Sequence, residues 1–291
     1  MITILNDSTG MELCRAVRTE QVSPDGQIRQ REQTIPSEHL MEVWVNDRLT
    51  MKVTCTGQYL PELVLGRLLT EDIIESAGDV EEIRICSSGL TARVYLREGS
   101  GENKLPEESE AVSTTPTCCT GNRILDHYYA SGRQLRHLDP FSWKADWISA
   151  LSEDAERPEN FPLYAATHSV HGCSLLCGGI IQFRCEDIGR HNALDKAIGY
   201  ALIEGIDLSR SALFTTGRVP TDMALKAIRA GVPVLSARKA PTAEAVKLAG
   251  EYGLAILQTG KQGLVKIWSG GRTCDRSIGI KALNRSTRIK I

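Results

Sequence analysis

Eleven residues, Glu186-Asp-Ile-Gly-Arg-His-Asn-Ala-Leu-Asp-Lys196, concentrate chemistry directly behind an apolar predicted strand. Asp187 can cap the helix that follows Gly189. Arg190, His191 and Asn192 then fill the first turn. Asp195 lies four residues from His191, and Lys196 four from Asn192, so each pair stacks on one helix face. Such a density of polar groups exceeds what capping alone requires.

Three further segments carry matched chemistry. They are Thr215-Thr-Gly217-Arg218, Ser236-Ala-Arg238-Lys239 and Thr259-Gly260-Lys261-Gln262-Gly263-Leu264. Each sets a basic side chain among small or hydroxylated residues, directly after a short apolar run. The first two open onto predicted helix N-termini, whose free N–H groups attract anions. If the runs are parallel neighbours, Arg218, Arg238, Lys239 and Lys261 meet at one sheet edge, where α/β folds bind ligands. The expected ligand carries phosphates, as a nucleotide or a pyrophosphate-containing cofactor does. The segment is not a P-loop, because G-x-x-x-x-G-K-S/T is absent.

Nucleophilic sulfur is the third resource. Nine cysteines stand at 14, 55, 86, 118, 119, 173, 177, 185 and 274. Most fit as small buried hydrophobes. Cys118 and Cys119 differ, because their neighbours in Thr115–Gly121 are polar and reactive cysteines need access. One accessible thiolate suffices for nucleophilic thiol chemistry. Inert loop thiols, a strained vicinal disulfide, or two thiols sharing the work remain open readings. His168, His171, Cys173 and Cys177 lack tight zinc spacing, and the H-x-E…P-C-x-x-C deaminase signature is missing. No metal site is expected.

Regular elements must position these groups. Residues 1–38 read as a polar, irregular arm. Residues 39–113 read as a smaller α+β subdomain with its linker. Met41–Val45 and Leu49–Cys55 flank Asn46-Asp47 as a hairpin, Pro61–Leu69 has helical spacing, and Val80–Cys86 pairs with Leu90–Leu96. The charged, Gly- and Pro-containing stretch 98–113 reads as linker. Residues 114–291 read as the main domain, with the cysteine loop at its start. Amphipathic helices are expected over Ile124–His137 and Trp143–Leu151. Ser169–Leu176 and Gly179–Cys185 form a strand pair, and Gly189–Ile203 a helix. Strands at Ala212–Thr215, Val232–Ser236 and Leu254–Leu257 then alternate with helices at Thr221–Ala230 and Thr242–Glu251. That alternation predicts an α/β domain, a layered sheet with flanking helices.

Composition narrows the classes. Lys and Arg number 34 against 36 Asp and Glu, a formal charge of −2. General nucleic-acid binding needs excess positive charge, so no nucleic-acid partner is expected. No apolar run approaches the ~20 residues of a membrane span, and the N-terminus lacks a secretory pattern. A cytoplasmic protein is the expectation.

Residues 186–196 closely resemble the E-D-I/V-G-R-H-N-A-x-D-K signature of the formate dehydrogenase accessory sulfurtransferase (FdhD) family. Thr216-Gly217-Arg218, Lys226, Gly231–Leu235, Ala240–Thr242, Val45-Asn46, Leu63, Gly66 and Thr70-Glu71 extend the likeness over roughly residues 39–270. The resemblance implies a cytidine-deaminase-like main domain, a smaller subdomain and a homodimer. It implies a sulfur carrier that accepts sulfur from a cysteine desulfurase as a cysteine persulfide. The sulfur passes to the bis-molybdopterin guanine dinucleotide cofactor, bound as a substrate, for formate dehydrogenase or a related molybdoenzyme. A cofactor-binding chaperone without sulfur chemistry is the alternative. The family's S-x-C-G-x-C-G loop appears here as Thr115-Pro-Thr-Cys118-Cys119-Thr-Gly121, so the C-x-x-C spacing is lost. Its Thr-Gly-Gly-x-His strand start survives only as Thr167 and His171. Its cofactor loop keeps one basic position, Lys261.

Overall fold

The computed structural model describes residues 2–101, 105, 114–115, 128, 135–260 and 263–270. The expected helix at Ile124–His137 falls largely outside these residues, as do Cys118, Cys119, Lys261 and Gln262. The described chain is a mixed α/β structure built on two six-stranded sheets and a separate two-stranded ribbon.

The first sheet grows from a hairpin of β4 (His39–Val45) and β5 (Arg48–Cys55). Asn46 and Asp47 adopt φ of 46° and 62° at its turn. Asn and Asp tolerate that left-handed region, and its twist matches the strands it joins. β6 (Val80–Ile85) and β7 (Thr91–Leu96) form a second antiparallel pair, and β7 runs parallel to β4. Between the pairs lies helix α1 (Leu60–Thr70), with Pro61 in its first turn and Leu63, Leu65 and Leu68 fully buried.

The reading of residues 1–38 as an irregular arm is corrected. β1 (Thr3–Asn6) joins the first sheet parallel to β6. β2 (Cys14–Val22) and β3 (Ile28–Pro36) form a long antiparallel ribbon. Its side chains stay mostly exposed, so hydrophobic periodicity carried little signal there. β8 (Thr114–Thr115) pairs with β5 at the other margin of the first sheet.

In the second sheet, β9 (His171–Cys177) and β10 (Ile180–Asp187) turn about Gly178-Gly179, both at positive φ. β11 (Ser211–Thr215), β12 (Val234–Ala237) and β13 (Ala255–Thr259) follow as parallel neighbours. A short antiparallel strand, β14 (Val265–Ile267), closes the margin and went unseen in the sequence. The helices are α2 (Ala145–Asp154), α3 (Pro162–Thr167), α4 (Arg190–Glu204), α5 (Thr221–Arg229) and α6 (Ala243–Tyr252). Among the described residues no helix is long and apolar enough to cross a membrane.

One apolar core runs through both units, from Met41 and Val43 in β4 through α1 and α4 to Ile256 in β13. It is continuous because α1 and α4 cross at two glycines. A Cβ on Gly66 would lie 1.9 Å from the Asp195 carbonyl oxygen, and one on Gly199 would lie 1.8 Å from the Glu62 oxygen. Backbone sits where side chains ordinarily keep helices 8–10 Å apart. Gly199→Ala is therefore expected to lower stability by about 1–3 kcal/mol. Gly250 on α6 has open space around it. Gly250→Ala should instead stabilise by about 0.5–1 kcal/mol through helix propensity. Paired denaturant titrations of the two variants test the contrast.

Candidate functional site

The parallel strands bring the predicted loops to one edge. Thr215 at the end of β11 stands opposite Ala237 at the end of β12, and Ala237 stands opposite Gln258 on β13. Gly217-Arg218, Arg238-Lys239 and Thr259-Gly260 therefore leave the sheet side by side. Arg218 and Lys239 are exposed there. Arg238 is half-buried; its backbone N–H donates to the Thr215 oxygen (3.0 Å), and its Nη2 donates to the Ala155 oxygen (3.3 Å). The third loop is fastened to α2. Ser152 donates to Thr259 Oγ1 (3.0 Å), and Ser149 donates to the Gly263 oxygen (3.0 Å). Gly260 N–H donates to the Leu264 oxygen (2.7 Å), and Leu264 itself is exposed. Helix α6 also opens at this edge, capped by Thr242 Oγ1 accepting from Ala245 N–H.

The α4 start reaches the same edge. A Cβ on Gly217 would stand 3.1 Å from Arg190 Cδ, so the loop after β11 packs directly on Arg190. His191 Nε2 lies 2.8 Å from Asp222 Oδ2 in the first turn of α5. Burial pushes His191 below its ordinary 6.5, and Asp222 only partly offsets it. Burial, Arg190 and His191 likewise lower His171, which stands opposite Asp187 at the start of β9. Burial would raise Asp222, but its contact with His191 lowers it overall.

Asp187 and Asn192 play another part. Asp187 Oδ1 accepts from Gly189 N–H and Asn192 Nδ2, both at 2.9 Å, and Oδ2 accepts from Thr56 N–H at 3.0 Å. Lys196 Nζ approaches the same Oδ2 at 2.7 Å and donates to Thr56 Oγ1 at 2.7 Å. Asn192 also donates to the Thr54 oxygen and accepts from Arg67 Nη1. All of this is buried beneath the edge, so Arg190 and His191 remain as the α4 groups beside the loops. The acid of residue 186 is inward too, its carboxylate accepting the Leu163 and Tyr164 N–H groups that begin α3.

A second half of this network fixes α5. Lys226 Nζ lies 2.9–3.0 Å from both Asp195 oxygens, 2.8 Å from Thr70 Oγ1 and 3.0 Å from Glu71 Oε1. Arg67 approaches Asp195 at 3.7 Å and Glu71 at 3.6 Å. The expected helix-face pairs His191–Asp195 and Asn192–Lys196 are thus corrected: the partners are Asp222, Lys226 and Asp187. Sequence reasoning missed Thr56, Arg67, Asp222 and the burial of Lys196 and Lys226. The signal available was a Lys and an Asp inside otherwise small, apolar helix stretches. Burial disfavours the Lys196 charge, but the opposing interactions, that with Asp187 foremost, together raise its pKa overall.

The described cysteines divide by environment. Burial first, then Asp187, raises Cys55 to about 12. Burial raises Cys173 and Cys185 as well. These are packing thiols, because the thiolate is the reactive form. His171 and Cys177 sit at opposite ends of β9. Among the described residues no group of three or more His, Cys, Asp or Glu could hold a metal ion.

Comparison with known proteins agrees with this architecture. The FdhD/NarQ family model matches residues 36–274. A sulfur carrier protein FdhD of Nocardia farcinica is 31% identical over 262 residues, 87% of this chain and 92% of that protein. A sulfur carrier protein FdhD of Listeria monocytogenes is 27% identical over 248 residues, covering 84% of this chain and 93% of its own length. Among solved structures, a putative formate dehydrogenase accessory protein from Desulfotalea psychrophila superposes with a TM-score of 0.72 at 25% identity. That likeness covers 90% of this chain and all of the other. The mixed α/β fold is that of a formate dehydrogenase accessory protein. The chain belongs to the FdhD/NarQ family.

Two outcomes follow from the geometry. Lys226→Met leaves the Asp195 and Glu71 carboxylates buried without their ammonium, and should cost about 3–5 kcal/mol in denaturant unfolding. With pH, the lowered His171 and His191 values mean that the unfolded chain takes up more protons just below 6.5. Stability is therefore full above 6.5 and falls as pH drops through the folded-state values. Thermal midpoints measured from pH 8 to about 5.5 should show the fall, and His191→Gln should flatten it.

Proposed function

We propose that this chain is a sulfur carrier acting on molybdenum cofactor. It accepts sulfur from a cysteine desulfurase as a cysteine persulfide. It passes that sulfur to bis-molybdopterin guanine dinucleotide, bound as substrate, for formate dehydrogenase or a related molybdoenzyme. The observation that carries the reading is the strand-end edge in a chain of this family. There Arg218, Arg238 and Lys239 lie beside the first turns of α4 and α5, an arrangement suited to phosphate groups. Asp187 and Asn192 support that edge from beneath, while Arg190, His191, Gly217, Thr259, Gly260, Gly263 and Leu264 lie along it; Lys261 and Gln262, outside the described residues, complete the set in this reading. Cys118 and Cys119, outside the described residues, are the sulfur carriers in this reading, since the described core thiols are held protonated by burial. A cytoplasmic homodimer with a cytidine-deaminase-like second unit completes it. The antiparallel β9–β10 pair leading into parallel β11–β13 supports that last assignment.

A second reading is a cofactor-binding chaperone without sulfur chemistry. It is favoured by the basic edge together with the lost C-x-x-C spacing. Intact mass after incubation with a desulfurase and cysteine separates the two. The carrier reading expects a sulfur adduct that Cys118→Ala/Cys119→Ala abolishes. An undiminished adduct in that double variant would remove the cysteine assignment, and guanine-nucleotide binding with no adduct would favour the chaperone. Arg218→Ala should weaken guanine-nucleotide binding on the order of tenfold, the loss of a charge-assisted hydrogen bond.

A further inference from the structure

A cavity of about 430 Å³ lies away from the basic strand-end edge. Its volume falls within the range of small-molecule sites. It opens at the other end of the second sheet, where Ser211 at the start of β11 pairs with Cys177 at the end of β9. Pro140, Phe141 and Trp147 give it an apolar wall, Cys177 borders that wall, and Asp207 and Arg210 supply charge of both signs. The wall is preformed. Phe141 and Trp147 pack against the buried cluster that holds Trp143, Ile148 and Leu151. A Cβ on Gly179 would lie 2.8 Å from Trp147 Nε1, so the β9–β10 turn presses on the edge of the indole. Lys144 Nζ holds the same ring from above, 5.6 Å from its centroid.

The two charges are arranged in an unusual way. Asp207 caps the short 3₁₀ turn Leu208–Arg210, and Arg210 ends it. Side chains three residues apart in such a turn eclipse one another. Yet among the described residues neither Asp207 nor Arg210 has an ion-pair partner, in each other or elsewhere. Asp207 Oδ1 is engaged, accepting from Ser209 N–H at 2.9 Å and Ser209 Oγ at 2.6 Å. Its Oδ2 accepts no hydrogen bond among the described residues. One carboxylate oxygen and one guanidinium therefore border the same cavity, with aromatic rings beside them. A simple anion would use Arg210 alone, and a simple cation Asp207 alone. A zwitterion uses both, and charge-assisted hydrogen bonds are the strong ones. We propose that this cavity binds an α-amino acid with an aromatic side chain. Its carboxylate lies on Arg210, its ammonium on Asp207 Oδ2, and its ring against Phe141 and Trp147. The site does not depend on the sulfur-carrier reading, and it shares no residue with the strand-end edge.

The test titrates the full chain with L-phenylalanine by calorimetry, beside phenethylamine, which lacks the carboxylate, and hydrocinnamate, which lacks the ammonium. L-phenylalanine should bind with a Kd on the order of 1 mM, as its few heavy atoms allow. Arg210→Gln should weaken L-phenylalanine about tenfold and leave phenethylamine unchanged. Asp207→Asn, which keeps a capping side chain for Ser209, should weaken L-phenylalanine about tenfold and leave hydrocinnamate unchanged. Cys177 reports the location: saturating L-phenylalanine should slow its alkylation by iodoacetamide, read by peptide mass, and leave that of Cys86 unaltered. No binding of L-phenylalanine at millimolar concentration would overturn the proposal. So would wild-type affinity in both variants, hydrocinnamate bound as tightly as L-phenylalanine, or binding that leaves Cys177 unprotected.

Discussion

Three buried cations and three buried carboxylates hold this molecule in register. Arg67 comes from α1 and Glu71 from the residue that caps its C-terminus, Asp187 from the end of β10, Asp195 and Lys196 from α4, and Lys226 from α5. Removing charges from water costs several kcal/mol per ion, and only good geometry with further hydrogen bonds offsets it. Here Thr56, Thr70 and Asn192 supply those bonds. Net stabilisation from such a network is modest. Its stronger effect is on alternatives: any slide or roll of α4 against α1 would strand a charge in the core. The Gly66–Gly199 crossing permits the close approach, and the ions specify which approach it is.

The functional edge inherits that constraint. One helix, α4, carries Asn192 and Asp195 toward α1 and Lys196 toward Asp187 and Thr56. His191 and Arg190 stand about 100° and 200° further round its axis. Locking one face therefore aims the other. Lys226 does the same for α5, whose first turn carries Asp222. The strand-end loops need only their own short ties, such as Ser152 to Thr259, because the sheet already sets their spacing. Rigid helices beneath short strand-end loops suit the cofactor-binding role proposed for this edge.

Much of this was legible locally. Asn46-Asp47 announced a hairpin because few other residues tolerate two successive left-handed conformations. Alternating strands and helices after residue 211 announced parallel crossovers, and the basic strand ends followed from them. The network was not legible, for a physical reason. A Lys four residues from an Asn reads as a solvated helix pair, and only the arrival of Thr56 and Arg67 turns that face inward. These partners lie 125 to 140 residues away in the chain. The β2–β3 ribbon was missed for the opposite reason: its exposed side chains show no apolar alternation, so backbone pairing had no sequence trace.

The central claim is that sulfur passes through this chain to a molybdenum site. Sulfur-34 cysteine, a desulfurase, this protein and a formate dehydrogenase awaiting activation can be combined in one reaction. The isotope content of the sulfur released from the activated enzyme's molybdenum centre is the measurement. The account predicts sulfur-34 there, at a level that depends on this chain and rises only after the chain itself is labelled. An enzyme activated to full rate with unlabelled sulfur, while the chain carries the label, would contradict it.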